Sequence, residues 1–145
     1  MKHLLLLIFV FLIANVCVHA SVNPDDIIGV WIAGGGKGHI QIFKQNGKYY
    51  GKILWLRNPK EKNGEVQIDR KNPNPAMRNK PIIGTLLLKD FVYKNGEWTD
   101  GVIYDTAVGK EYDAYIKLKN INTLALRGYI GFSWMGKTDI WTRVK

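Results

Sequence analysis

Asp105 and either Glu111 or Asp113 flank a short turn across which they could approach each other, and two carboxylates about 5–10 Å apart are the working parts of a glycoside-cleaving site, one as acid and one as base or nucleophile. Nothing beside them marks either as perturbed, and turn carboxylates are mostly solvated. Nucleophilic catalysis needs an imidazole next to a Ser or Cys. The chain has one cysteine, Cys17, and three histidines. Only His39 lies beyond residue 20, on an alternating stretch with no serine motif around it. Zinc needs three or four Cys, His or carboxylate ligands at suitable spacing, and only carboxylates are plentiful. Asp100 and Asp105 have the hardness for a divalent cation but lack a calcium-loop spacing. The run Gly34-Gly35-Gly36-Lys37-Gly38 fails as a phosphate loop, because Trp31 stands where the first glycine belongs and Gly38 where Ser or Thr belongs. The sequence therefore offers no catalytic residue, no metal ligand set and no cofactor motif.

Binding has better material. Trp55, Tyr104, Tyr112 and Tyr129 fall on different predicted strands. With Arg57, Asn72, Arg78 and Arg127 they suit an aromatic wall with a few polar groups that fix a small ligand. The opposing reading is that these aromatics are plain core and that Arg127 points outward, since Leu124, Leu126 and Ile130 share the other face.

Residues 1–20, MKHLLLLIFVFLIANVCVHA, have a basic start (Lys2, His3), an apolar run from Leu4 to Ala14 and a small-residue end at Ala20. That is the pattern of a secretory signal peptide, and its apolar run is shorter than the roughly 20 residues of a membrane span. Cleavage near Ala20 would take away Cys17 and leave residues 21–145 as one domain without disulfides, in a periplasm or outside the cell. Lipid attachment at Cys17 would need a small residue before it, where Val16 stands. The formal net charge is +9, one less without Lys2. Such an excess favours anionic partners, among them envelope lipid or polysaccharide; outside the cytoplasm it argues against nucleic acid. The charges are scattered, with Arg70, Lys71, Arg78 and Lys80 as the tightest group.

The elements that must carry these residues are strands. Period-two alternation marks His39–Lys44 and Tyr112–Leu118. Further strands are expected at Gly29–Ala33, Lys48–Leu56, Ile82–Tyr93, Glu97–Tyr104, Thr123–Ile130 and Thr138–Val144. Asn46-Gly47 and Asn95-Gly96 are hairpin turns, with further turn signals at Gly34–Gly36, Val108-Gly109, Asn120–Asn122 and Met135-Gly136. Short antiparallel strands joined by tight turns remove their edges by closing. An all-β, eight-stranded up-and-down barrel is expected, its interior either filled or just wide enough for one small ligand. A monomer suits that size.

Gly29-Val30-Trp31 opens the first strand and Trp141-Thr142-Arg143 ends the last. This resembles lipocalin-like barrels, in which a Gly-x-Trp and a closing-strand basic residue meet at the closed end, guanidinium over indole. The resemblance implies structural roles for Trp31 and Arg143. Asp26-Ile27-Ile28-Gly29-Val30-Trp31, Lys48-Tyr49-Tyr50-Gly51-Lys52-Ile53 and Asp69-x-x-Asn72-Pro73-x-Pro75-x-x-Arg78-x-x-Pro81-Ile82-x-Gly84 extend the similarity. So do Trp98-x-x-Gly101-x-Ile103-Tyr104-Asp105, Gly109-Lys110-x-Tyr112 and Arg127-Gly128-Tyr129-x-Gly131. Together they resemble the family catalogued as domain of unknown function 2147 (DUF2147), small exported bacterial proteins. The resemblance implies export and a lipocalin-like barrel and names no activity. Thr106 departs from the pattern, which has proline after Tyr-Asp.

Arg57–Pro81 breaks the hairpin rhythm. It holds Pro59, Pro73, Pro75 and Pro81, and its Asn72-Pro73-Asn74-Pro75 run argues for rigid turns over disorder. The expectation is a loop over one barrel mouth, pinned by an Asp69–Arg78 pair and acting as cap or ligand gate. The whole reads as an exported barrel that binds a small or anionic ligand without catalysis. The competing reading is an envelope interaction protein whose basic outer surface meets lipid, polysaccharide or another protein. A carboxylate-dependent hydrolase comes third.

Overall fold

Asn46 and Gly47 both take positive φ (49° and 76°), as do Asn95 and Gly96 (50° and 84°), the conformation of a two-residue hairpin turn that matches strand twist. In this computed structural model, which describes residues 21–145, such turns join two of the pairs among eight strands. They are β1 (Gly29–Ile32), β2 (Gly38–Gln45), β3 (Lys48–Leu56), β4 (Leu86–Lys94), β5 (Glu97–Asp105), β6 (Lys110–Asn120), β7 (Thr123–Tyr129) and β8 (Gly136–Arg143). Each pairs antiparallel with its neighbour in sequence, and β8 returns to β1, closing an up-and-down barrel. The expected leader lies outside the described residues. The strand expected at Ile82–Tyr93 is shortened at its start. Pro81 cannot donate to a ladder, Gly84 has φ 96° and the Thr85 amide donates to Ile82, so Ile82–Thr85 is a turn.

Alternation fills the interior. Ile40 and Ile42 of β2, Tyr49 and Ile53 of β3, Ala114 and Ile116 of β6, and Leu124 and Leu126 of β7 are all buried. Gly101 of β5 faces inward with no room for more, since a Cβ there would sit 2.4 Å from the Phe91 ring. One irregularity changes a face. A bulge in the β2–β3 ladder after His39 pairs His39 with Trp55 but Ile40 with Ile53. The extra residue, Leu54, flips the parity of the positions beyond it. Trp55 is 44% exposed and stacks on His39 with ring centroids 4.6 Å apart, on the outer surface.

The segment before β1 plugs one end. Asn23 caps the 3₁₀ turn Pro24–Ile27. Its carbonyls are bound by aromatic side chains from below: the indole N–H of Trp31 donates to Ile27 (2.8 Å), that of Trp98 to Pro24 (3.1 Å), and the Tyr93 hydroxyl to Val22 (2.7 Å). Arg143 seals the seam. Its guanidinium lies 4.3 Å from the centroid of the fully buried Trp31 and donates to the carbonyls of Ile121, Ile28 and Asp26. Gly29 makes the approach possible, because at its φ of 142° a Cβ would stand 2.5 Å from Arg143 Nη1.

The long connection between β3 and β4 departs from expectation in where it packs and in what pins it. It is folded on itself, with isolated bridges Lys60–Val66 and Ile68–Pro81 and a 3₁₀ turn at Pro75–Met77. None of its residues lines the barrel cavity; it packs against the outward Tyr104 and the β5–β6 turn. Lys71 Nζ donates to the Ala107 carbonyl (2.7 Å), and the Lys71 carbonyl sits so close to Gly109 that a Cβ there would be 1.9 Å from it. The expected Asp69–Arg78 pair does not form. Asp69, 2% exposed, accepts from the Tyr104 hydroxyl (2.8 Å) and from Asn72 Nδ2 (2.7 Å). Arg78 Nε donates instead to the Asn72 carbonyl (2.8 Å). Asn72 is thus the middle of the lock, holding the acid with its side chain and the base with its backbone.

Candidate functional site

The end opposite the plug is open. There the barrel holds a cavity of about 790 Å³, within the range of small-molecule sites. Its depth is apolar, with Ile103 of β5, Tyr112 of β6, Leu126 of β7 and Trp141 of β8 among the lining residues. Gly128 keeps it wide beside Ile103, whose Cγ2 would be 3.2 Å from a Cβ at that glycine. Polar groups gather at the rim, where Lys37 from the β1–β2 turn, Lys137 of β8, Asp105 and Asp139 are among the lining residues.

Asp139 is the polar group that sequence reasoning missed. Its Oδ2 accepts from the Trp141 indole N–H (2.7 Å) and from the Gly34 amide (3.2 Å). It thereby ties β8 to the glycine turn at the mouth. The signal was present in the period-two step Lys137, Asp139, Trp141, which shares one strand face with a core tryptophan.

Of the eight residues expected to bind a ligand, the structure brings three to the cavity. Tyr112 pairs with inward Ile103 and lines it directly. Tyr104 and Tyr129 are also among its lining residues. The Tyr129 ring, however, lies against Tyr115 (centroids 6.3 Å), and Tyr115 alternates with inward Ala114 and Ile116. The Tyr104 hydroxyl is turned to Asp69 under the long connection. Trp55, Arg57, Asn72, Arg78 and Arg127 stand elsewhere. Arg57 Nη2 donates to the Gly35 carbonyl (3.0 Å). Arg127 faces outward, donating from Nε to the Ser133 carbonyl (2.6 Å) and from Nη1 to Thr138 Oγ1 (2.9 Å).

Of the carboxylates weighed for catalysis or for a cation, three are held by other groups. Asp105 accepts from the Ala107 amide (2.8 Å), an Asx turn that stiffens the corner at Thr106. Glu111 pairs with Lys89, and Asp100 with Lys94 at 2.5 Å. Among the described residues no cluster of three or more His, Cys, Asp or Glu could hold a metal ion.

Burial, then the bond to Asp69, pushes the Tyr104 phenol up from 10.0 to about 12. In the unfolded chain this phenol ionises near 10, so its contribution to stability is complete below that pH and is lost as pH rises from 10 to about 12. Of seven tyrosines, one is expected to ionise last in a phenolate absorbance titration. Tyr104→Phe should delete that step; a titration unchanged by the substitution contradicts the assignment.

The comparisons with known proteins agree with this architecture. A solved structure described as "Protein HP1028 from the human pathogen Helicobacter pylori belongs to the lipocalin family" superposes with a TM-score of 0.71 at 22% identity, covering 81% of this chain and 82% of that one. The fold is a lipocalin-like closed barrel. None of the curated proteins matches the chain. Residues 29–143 match the family model described as "Uncharacterized protein conserved in bacteria (DUF2147)", and the chain belongs to that family.

Proposed function

We propose that the protein binds, without catalysis, one small ligand in the open end of the barrel. The observation that carries this is the cavity itself, about 790 Å³ with an apolar interior and a rim of two lysines and two carboxylates. An apolar body would remove water from the half-buried Ile103 and Tyr112, at about 25 cal/mol per Å² of apolar surface. A polar end would meet both donors and acceptors at the rim. The purely anionic ligand loses support, because Arg57, Arg78 and Arg127 reach other partners. The signal-like leader favours work in a periplasm or outside the cell, as a monomer cut near Ala20.

Native mass spectrometry of protein purified gently from the organism that makes it tests this against the denatured mass. A reproducible adduct on a chain of residues 21–145 is expected. Ile103→Trp, which fills the cavity beside Gly128, should lose it while Arg78→Ala keeps it. A clean apo mass for the parent chain, or an adduct that survives Ile103→Trp in a folded variant, would sink the cavity reading.

A further inference from the structure

The β7–β8 connection breaks the rule that large apolar side chains go inside. Ile130 is 70% exposed, Phe132 66%, Trp134 73% and Met135 61%, and Ile130 and Met135 also line the cavity mouth. Contiguous apolar surface of this kind on a small domain marks an interaction site.

The loop is built to hold these residues out. Phe132 and Trp134 stack with centroids 6.0 Å apart. Beneath them the Arg127 guanidinium donates to the carbonyls of Ser133 (2.6 Å) and Trp134 (3.3 Å), while the amides of Phe132 and Met135 donate to Ile130 and Phe132. Backbone satisfied from within the protein can approach hydrocarbon at little cost, where unsatisfied peptide groups would be expelled. Tryptophan settles at the headgroup level of a bilayer, and tryptophan and phenylalanine recur on the apolar face of segments that lie at its surface.

Charge selects the partner. Among the described residues the ion pairs are Asp25–Lys44, Lys48–Asp90, Lys89–Glu111, Lys94–Asp100 and Glu97–Lys117. All join strand residues to one another or to the plug; none engages a basic side chain from the mouth-end connections. Lys37 of the β1–β2 connection lines the cavity mouth with Ile130 and Met135, as does Lys137 near the start of β8, and neither lysine is in that set of pairs. A stacked aromatic tip beside cations with no carboxylate partner fits a surface that is apolar below and negative above.

We propose that the mouth end of the barrel docks on an anionic phospholipid bilayer. Phe132 and Trp134 enter the interface, Lys37 and Lys137 meet the phosphates, and the cavity opens on to the lipid. Arg127 is a positioning residue that presents the tip. Docking does not depend on what fills the cavity.

Flotation with phosphatidylcholine vesicles, with and without phosphatidylglycerol, tests the proposal on the chain of residues 21–145. Binding is expected only to the anionic vesicles and to weaken at least tenfold in Phe132→Ser/Trp134→Ser with an unchanged circular dichroism spectrum. In Trp55→Phe, which leaves Trp134 the exposed indole, brominated lipid should quench and blue-shift the emission. Ile103→Trp should dock like the parent, separating this surface from the cavity reading. Three results would overturn the proposal: no binding to anionic vesicles at low salt, binding that the tip substitutions leave unchanged, or a tip-dependent dimer in light scattering that identifies a second copy as the occupant.

Discussion

Trp31→Ala is expected to remove about 3–5 kcal/mol of stability, the range for emptying a large buried aromatic site. A domain of this size commonly has only about 5–15 kcal/mol in total. The loss combines the cavity left by a fully buried indole with the orphaning of the Ile27 carbonyl that its N–H serves. Arg143→Ala should cost less, about 2–3 kcal/mol, since its guanidinium is partly exposed although it binds three carbonyls. The double variant should be milder than the two losses added together by about 1 kcal/mol, the worth of a cation–π contact of this kind. Denaturant unfolding of the four proteins measures that coupling. Strict additivity would mean that the stacked pair contributes nothing beyond its separate bonds. Arg143→Lys keeps the charge but not the fork that spans Ile28 and Ile121, so it should recover the smaller part of the loss.

Asp69→Ala is expected to release the long connection while the barrel stays closed. The substitution strands the Tyr104 hydroxyl and the Asn72 amide in a buried site, at about 1–3 kcal/mol for each partner left unpaired. Arg78 cannot stand in for the carboxylate, because a guanidinium offers no acceptor to either donor and its Nε is bound to the Asn72 carbonyl. The local opening equilibrium should shift on the order of a hundredfold, and trypsin cleavage after Arg70 and Lys71 should quicken in proportion. Asn at position 69 keeps one acceptor oxygen and should fall between. Cleavage at the parent rate in Asp69→Ala would show that the connection is held by its bridges and by Lys71 alone.

The strands were legible because their information is local. Alternation, Asn-Gly turns and the Gly-x-Trp with a terminal arginine specify which residues pair and where the sheet closes. The site was legible only in part. Tyr112 follows from the same alternation, but Trp55 lies one bulge beyond it, and a single inserted residue sends the ring to the opposite face. Arg127 had to be read against Leu124 and Leu126 to see that it faces outward. Asp69, Asn72 and Arg78 were recognisable as a group. Their arrangement was not, because the partner that decides it, Tyr104, belongs to a strand that only tertiary folding brings under the loop. Asp139 was missed because its role is to accept from a backbone amide in a turn at the far end of the sequence.

The seam between β1 and β8 also sets an order of events. Trp31 pairs in register with Arg143, and the plug ahead of β1 needs Tyr93 and Trp98 to bind its carbonyls. The first strand to be synthesised therefore has no complete set of partners until the last strand exists. Hairpins β2–β3 and β4–β5 can form on the microsecond scale, whereas closure must wait for contacts at the largest sequence separation in the chain, which places such topologies among the slower folders. A chain halted before β8 would keep two raw strand edges, on β1 and β7, and those edges are where misassembly with other copies would begin.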